Sequence, residues 1–459
     1  MTNRGKTDTR QQQPDTLRLL IITYYWPPSG GSGVQRWLKF TKYLPQFGWQ
    51  PVVYTPSNPD FDTQDLSLSA DIPAEAEILK TRIWEPYQIY RLLNRGGASN
   101  ANFGMTGATS GKGIFSRISL WARGNIFVPD PRVFWRKPSV SFLKKYLLHH
   151  PVDAMVTTGP PHSMHLIGLG LKKIFPLLPW IADMRDPWSR FDVHNSFFSE
   201  SGKQRNSSYE RQVLDASDRV IMVSPSLREE FQDIPDSKLV LLHNGFDEHD
   251  FQNLPKGERT DPRFSIYHTG LLNYIRNPQV LWDALEELSQ ENQDFGTNWR
   301  LELIGKVDPK ITTELAGRPE LSKNIRVREW MSHEELLREN QNADLLLVLV
   351  NQSRNAKAQL TGKLFEYLAL QKPILALCPP DADIAQLLRE TGAGDACSWA
   401  DKLAIKQAIL TRFTAFRQNL PFAGNPRQIE TYSRRKLTER LSQVLQDLVF
   451  SSPPIAGKS

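Results

Sequence analysis

Short apolar runs alternate with stretches of helical period along most of the chain. Leu17 to Thr23 is apolar except for Arg18, the pattern of a strand buried on both faces. From about Gly33 to Phe47, Val34, Trp37, Leu38, Phe40, Tyr43 and Leu44 recur on one helical face, and Gly48 stands where a helix-ending glycine belongs. Gln50 to Tyr54 then reads as the next strand. Strand, glycine turn, helix and strand open a doubly wound α/β domain. Further strands are expected at Ala154 to Thr158, Trp180 to Met184, Arg219 to Val223 and Leu239 to Leu242, with a helix at Met164 to Ile174. Asp250 to Arg263 is polar and irregular, and reads as a linker. A second cycle begins at Phe264 and continues through Trp299 to Ile304, Ile325 to Val327, Ala343 to Val350 and Pro373 to Cys378. The last helix, Ser433 to Val449, carries Leu437, Leu441, Val444, Leu445 and Leu448 on one side.

The expected organisation is a polar tail over 1–16, an α/β domain over 17–249, a linker over 250–263, a second α/β domain over 264–430, a helix over 431–450 that crosses back to the first domain, and a tail over 451–459. A chain of 459 residues suits two such cores. No apolar run is long enough to span a bilayer, and the polar N-terminus lacks the apolar centre of a secretory signal. The only cysteines, Cys378 and Cys397, fit a reducing compartment and are too few for a zinc site.

Chemistry concentrates where predicted strands end. Tyr25-Trp26-Pro27-Pro28-Ser29-Gly30-Gly31 follows the first, Gly159-Pro160-Pro161-His162-Ser163 a later one, and Arg185-Asp186-Pro187-Trp188 another. In the second half, His268-Thr269-Gly270 ends a strand and Thr361-Gly362-Lys363 opens a helix with Glu366 one turn in. In open α/β sheets, ligands bind outside the carboxyl ends of the strands. Glycines there permit sharp turns and close approach, and helix-opening amides favour an anion.

The net charge of +6 is uneven. From Lys80 to Lys145 there are twelve Lys and Arg against Glu85 and Asp130, a surplus of ten, which leaves the remainder near −4. Ile114, Phe115, Ile118, Trp121 and Ile126 lie among these arginines at roughly helical spacing. Two readings stand for this block: a solvated face, or an interfacial segment in which Arg117, Trp121 and Arg123 meet an anionic membrane or the acceptor. Asn94 through Gly113 reads as a flexible surface loop.

Taken in order and spacing, these strings, with Asp183-Met184-Arg185-Asp186, His243-Asn244-Gly245-Phe246-Asp247 and Gly362-Lys363-Leu364-Phe365-Glu366-Tyr367-Leu368, resemble the retaining glycosyltransferases of family four. The resemblance covers Leu17 to about Leu448. It implies the GT-B fold, two Rossmann-like parallel-sheet domains facing across a cleft. It also implies transfer of a sugar from a nucleotide diphosphate sugar to an acceptor such as a lipid-linked or cell-surface saccharide, on the cytoplasmic side. No cofactor or metal beyond the donor substrate is implied, and no nucleic-acid partner.

The resemblance places Glu366 on the ribose hydroxyls, and a carboxylate suits a vicinal diol. Thr361 and Gly362 would supply amides to the diphosphate, with Gly30, Gly31 and Gly270 lining the donor. Arg276 falls where relatives carry a phosphate-binding cation, and Lys363 would add charge to that clamp. His162 matches the active-site histidine and would bond the donor sugar or the reacting centre. For Asp183 and Asp186 two readings are open: a local ion pair with Arg185, or an acceptor-side role for Asp186. His165 either packs or faces solvent. The pattern is broken at Ala358, eight positions before Glu366, where relatives have a carboxylate on the donor sugar, and at Leu271, where many have arginine. Asp381-Ala382-Asp383 looks like a metal-binding pair and is read as coincidence. Two alternatives to transfer remain: a nucleotide-sugar epimerase of the same fold, and a non-catalytic nucleotide-binding scaffold.

Overall fold

A computed structural model describes residues 16–61, 63–85, 125–186, 188, 189, 198–252, 254, 255, 259, 261–422 and 424–451. The sequence yields two all-parallel sheets. The first contains β1 (Leu17–Ile22), β2 (Trp49–Pro56), β3 (Glu77–Thr81), β4 (Ala154–Gly159), β5 (Trp180–Met184), β6 (Arg219–Met222) and β7 (Leu239–Leu241), in the order β3-β2-β1-β4-β5-β6-β7. The second contains β8 (Phe264–Thr269), β9 (Trp299–Ile304), β10 (Ile325–Arg328), β11 (Leu345–Leu349), β12 (Ile374–Leu377) and β13 (Gly394–Cys397), in the order β10-β9-β8-β11-β12-β13. In register, Leu20 of β1 lies between Val52 of β2 and Met155 of β4. The central strands are buried on both faces, which is why they read as unbroken apolar runs.

Strand order reverses between β1 and β4 in one sheet and between β8 and β11 in the other. Such a switch point leaves a crevice at the carboxyl ends, because the following connections leave to opposite faces. Most described loops singled out from the sequence follow β1, β4, β5, β8 or β11; the 243–247 loop follows β7 and the 381–383 loop follows β12.

Helix α1 (Ser32–Tyr43) follows β1 and gives way to a 3-10 turn, Leu44–Phe47, instead of running on as one α-helix. Pro45 lacks the amide that would continue it. Gly48 closes that turn at φ +79°. Helix α2 (Arg136–His149) precedes β4 and α3 (Ser163–Ile174) follows it. In the second half, α4 (His333–Asn340) precedes β11 and α5 (Gly362–Ala369) follows it. Helix α6 (Arg434–Ser451) lays Leu437, Leu441, Leu445 and Leu448 against Trp37, Leu38, Phe40 and Leu44 of the first domain, and Trp49 Nε1 donates to Ser442 Oγ at 3.1 Å. Each buried leucine contributes about 2 kcal/mol, so this seam is held mainly by apolar burial.

The segment expected to be an irregular linker begins as a helical turn, His249–Gln252, because Lys39 Nζ bonds the Asp250 carboxylate at 2.9 Å. Among the described residues, no helix is long and apolar enough to cross a membrane. The 1–15 part of the N-terminal tail, the Asn94–Gly113 loop, Arg117, Trp121, Arg123 and residues 452–459 lie outside the described residues.

Candidate functional site

At the end of β1 the chain turns through Gly30, whose amide donates to Thr63 O at 2.9 Å, and Gly31 at φ +82°. Only glycine adopts that conformation without strain. At the end of β4, a side chain on Gly159 would meet His165 Nε2 at 2.6 Å and His162 Nδ1 at 2.9 Å, so glycine is what lets the two rings lie over this turn. His162 stacks face to face on Trp188 at 4.7 Å. The helix start beside it is held by Asp130, whose carboxylate accepts from Ser163 N at 2.8 Å and Ser163 Oγ at 2.9 Å. His165 packs: it is fully buried, its Nδ1 lies 2.7 Å from Thr157 Oγ1, and burial pushes its pKa down to about 3, so the ring is neutral.

Of the two readings left open for Asp183 and Asp186, the local ion pair with Arg185 is not what the structure shows for Asp183. Asp183 is fully buried and pairs with Arg36 of α1 at 3.0 Å, and also accepts from Trp37 Nε1 at 2.7 Å and Thr158 Oγ1 at 3.0 Å. Burial would raise its pKa, but Arg36 and these donors hold it below the usual carboxylate range. Arg185 instead donates to three carbonyls: Gly33 O at 2.7 Å, Pro160 O at 3.0 Å and Gly159 O at 3.1 Å. It thereby ties the glycine turn after β1 to the histidine turn after β4. That role was missed, since a backbone-bonding arginine leaves no sequence pattern. Asp186, next along, is exposed.

In the second domain, Gly270 (φ +105°) ends β8 and its amide donates to Ile304 O at 2.7 Å. A side chain there would meet Lys363 Nζ at 2.6 Å. Lys363 is half-buried and donates to the carbonyl of Thr269. Arg276 donates to Asn351 Oδ1 and, at 3.1 Å, to Leu271 O. Among the described residues neither cation has a carboxylate within ion-pair distance. The cost appears in their acidity: burial, then the neighbouring Arg276 charge, pushes the Lys363 pKa down to about 8, Glu366 partly offsetting this. Burial lowers Arg276, and burial followed by Lys363 keeps His268 neutral. Half-buried cations without a carboxylate partner leave this end of β8 positively charged.

Thr361 caps α5 with extended backbone, and its Oγ1 is buried without a hydrogen-bond partner among the described residues. Gly362 faces open space. The helix is pinned beneath β8 by Tyr367 OH, 2.7 Å from Thr269 Oγ1. Glu366, with its side chain 24% exposed, lies on this helix with Oε1 3.0 Å from His333 Nε2 at the start of α4. His333 was not foreseen; a polar residue at a helix start carries no signal of a partner far along the chain.

The loop carrying Ala358 is docked on the first domain. Ser224 Oγ donates to Ala358 O at 2.9 Å, Asn355 Nδ2 to Glu230 at 3.2 Å, and Lys357 Nζ to Glu229 at 2.9 Å. Lys357 also reaches Asp381 at 3.3 Å, so its charge is spent on these acids. Asp383 accepts from Ser226 N at 2.9 Å and Oγ at 2.7 Å; it is a domain-bridging acceptor. Elsewhere Asp71, Asp247 and Asp250 converge, but Lys39 and Lys42 lie among them within ion-pair distance.

The structure therefore brings Gly270, Arg276, Thr361, Gly362, Lys363 and Glu366 to the ends of β8 and β11. It brings Gly30, Gly31, His162 and Asp186 to the ends of β1, β4 and β5.

No protein-family model matches the sequence, and no curated protein matches it. Solved structures do. A glycosyltransferase from Rickettsia africae is similar over 95% of this chain and 100% of its own, at TM-score 0.61 and 14% identity. HepE of Anabaena, solved in complex with UDP-glucose, matches over 94% and 100%, at TM-score 0.56 and 14% identity. WaaG, a glycosyltransferase involved in lipopolysaccharide biosynthesis, matches over 93% and 99%, at TM-score 0.53 and 13% identity. At such identities the likeness is one of fold, and the fold of this chain is GT-B, two Rossmann-like parallel-sheet domains.

Proposed function

We propose that this protein is a glycosyltransferase that moves a sugar from a nucleoside diphosphate sugar to a saccharide or lipid-linked acceptor, with retention of configuration. The observation that carries the reading is the pair of half-buried cations without acids among the described residues, Arg276 and Lys363, beside the start of α5 at the second switch point, with Glu366 one turn further. A diphosphate would satisfy the cations and the opening amides of α5, and Glu366 would accept from the ribose hydroxyls. The fold neighbours support a nucleotide sugar as donor, HepE having been solved with UDP-glucose.

In the reaction the bond from the anomeric carbon to the diphosphate oxygen breaks, and a bond from that carbon to the acceptor oxygen forms. Negative charge grows on the departing phosphate, where Arg276, Lys363 and the helix amides stabilise it more in the transition state than before. The acceptor proton passes to the departing phosphate on the same face, which accounts for retention without a protein nucleophile. His162 would bond the donor sugar, and Asp186, exposed at the end of β5, would orient the acceptor hydroxyl. The acceptor domain is the first one. Its basic block would hold an anionic membrane surface on the cytoplasmic side, and WaaG's role in lipopolysaccharide biosynthesis favours an acceptor of that kind.

The test is a thermal-shift screen against nucleoside diphosphates and their sugars. A ligand that binds only the native state raises the melting temperature. A shift with one diphosphate series names the base; no shift with any of them removes the reading. Incubation with donor alone separates transfer from epimerisation.

A further inference from the structure

Arg434 is the first residue of α6 and only 4% exposed. Its guanidinium lies over the ring of Phe40 at 5.5 Å, and the same ring carries Arg36 at 5.0 Å. The two arginines differ completely in their bonding. Arg36 is saturated by Asp183, Leu242 O, His243 O and Asn244 Oδ1. Arg434 has no side-chain hydrogen bond to any described residue; its Nη1 is buried and without a partner, and no carboxylate lies within ion-pair distance. The neighbouring acids are taken, Asp183 by Arg36 and Asp247 by Lys39 and Lys42. A buried guanidinium with unmade hydrogen bonds is expensive, and folds that only need stability replace it with an apolar side chain.

Its position is fixed from both domains. The Arg434 amide donates to Phe246 O at 2.7 Å, and Phe246 N donates to Tyr432 O at 3.2 Å. Tyr432 lies between His243 of the first domain and Phe365 of the second, 5.5 Å from each ring. Phe365 is the residue before Glu366. Arg434 therefore stands where the chain ties the β7 loop to α5.

We propose that Arg434 is an anion-binding residue at the junction of the two domains, which takes a phosphoryl oxyanion in the forked geometry of a guanidinium. A planar fork with all its donors free suits two phosphate oxygens better than a point charge would. The phosphoryl group belongs to the bound donor or to a phosphorylated acceptor. This deepens the nucleotide-sugar reading and rests on it for the identity of the ligand. The electrostatics agree: burial, then the like charge of Arg36, pushes the Arg434 pKa down to about 9, with Asp247, Asp183 and Glu366 pulling the other way. A guanidinium without protein partners is a stability cost that a bound anion would relieve.

The experiment compares the full chain with Arg434→Met, which keeps the packing on Phe40, and with Arg434→Lys, which keeps the charge but not the fork. Melting temperature is measured alongside affinity for inorganic pyrophosphate, uridine diphosphate and a hexose phosphate. Arg434→Met is expected to melt at the same or a higher temperature and to lose about tenfold or more in affinity for a phosphorylated probe. Arg434→Lys should fall between. Loss toward pyrophosphate and uridine diphosphate assigns the site to the donor; loss toward the hexose phosphate alone assigns it to the acceptor. Unchanged affinity for all three probes overturns the inference, as does a loss of affinity that only accompanies a lowered melting temperature in both variants. Glu366→Ala is measured in parallel. If uridine diphosphate binds no better than pyrophosphate and Glu366→Ala changes neither, while Arg434→Met weakens both, the nucleotide reading fails and the anion site stands; if Glu366→Ala weakens uridine diphosphate and Arg434→Met changes no probe, only the anion site is removed.

Discussion

His333 Nε2 lies 3.0 Å from Glu366 Oε1, so the carboxylate proposed to receive a ribose is engaged by an imidazole. Burial works against a charged ring, but the hydrogen bond and charge of Glu366, followed by Asp250, outweigh it and the His333 pKa is raised; Lys39 opposes from α1. A base whose pKa is raised on folding stabilises the fold below its ordinary value and loses that contribution as pH climbs through the raised one. The melting-temperature difference between wild type and His333→Gln is therefore expected to shrink as pH climbs above the ordinary histidine range and through the raised value. Because imidazolium and diol compete for the same oxygen, nucleotide affinity should be weaker on the acid side, and His333→Gln should flatten that limb. Calorimetry across the range reads both; an equally acid-sensitive variant removes His333 as the cause. Glu366→Ala should raise the nucleotide dissociation constant about 10- to 100-fold, the worth of hydrogen bonds to a charged group.

Lys363 predicts the alkaline limb. Its pKa is pushed down to about 8 in the free protein, so above that value the clamp loses a charge that an anion needs. Pyrophosphate affinity is expected to fall as pH rises through 8, with proton uptake on binding that a comparison of buffers of different ionisation enthalpy would measure. Lys363→Met should bind weakly throughout with little pH dependence above neutrality, and should melt no lower than wild type, since a half-buried cation without an acid has been removed. A pH profile in Lys363→Met like that of wild type would reassign the limb.

The strands that build the two switch points were legible as apolar runs, because a parallel strand covered on both faces admits few polar residues. The edges were not. Glu77–Thr81 has no buried residue, and Gly394–Cys397 has one, so neither leaves an apolar signature. The loops at the carboxyl ends were found through their glycines, prolines and helix starts. What they bond to was not found. Arg36 with Asp183 and His333 with Glu366 are each non-local pairs, set by the fold and by no local pattern. Ala358 illustrates the limit: the sequence shows a missing carboxylate, while the structure shows a backbone carbonyl docked on Ser224.

Asp183 is expected to matter for folding ahead of catalysis. Asp183→Ala would leave Arg36, 1% exposed, without its counter-charge, and breaking a buried pair in this way costs about 3–5 kcal/mol. Denaturant unfolding should show that loss. Asp186→Asn, at an exposed position, should cost less than about 0.5 kcal/mol while slowing transfer. If the two exchange these effects, the ends of β5 have been assigned the wrong way round.

The basic block makes a prediction at a surface. Trp84 and Phe134, half-exposed, meet edge to face at 5.4 Å, close in sequence to Lys80, Arg82, Arg136 and Lys137. Charge reversal at Arg117 and Arg123 should weaken binding to vesicles rich in anionic lipid, with each charge near the surface worth about 1 kcal/mol, and binding should weaken further in high salt. Partition that is unaltered by reversal and by salt leaves the block as a solvated face.

Gly159 and His162 give the sharpest separation of binding from chemistry. His162→Ala should lower turnover while leaving nucleotide affinity unchanged, because the ring is expected to meet the sugar, while Arg276, Lys363, Glu366 and the opening amides of α5 hold the nucleotide. Gly159→Ala should act on the same ring without touching its chemistry. The added methyl meets His165 Nε2 at 2.6 Å and His162 Nδ1 at 2.9 Å, and a backbone turn tied down by Arg185 leaves it little room to yield. Overpacking of this kind costs about 1–3 kcal/mol. The expected result is a lower melting temperature, a turnover defect approaching that of His162→Ala, and an unaltered nucleotide dissociation constant. Normal turnover in His162→Ala would place the ring outside the reaction, and Gly159→Ala would then be expected to lose stability alone.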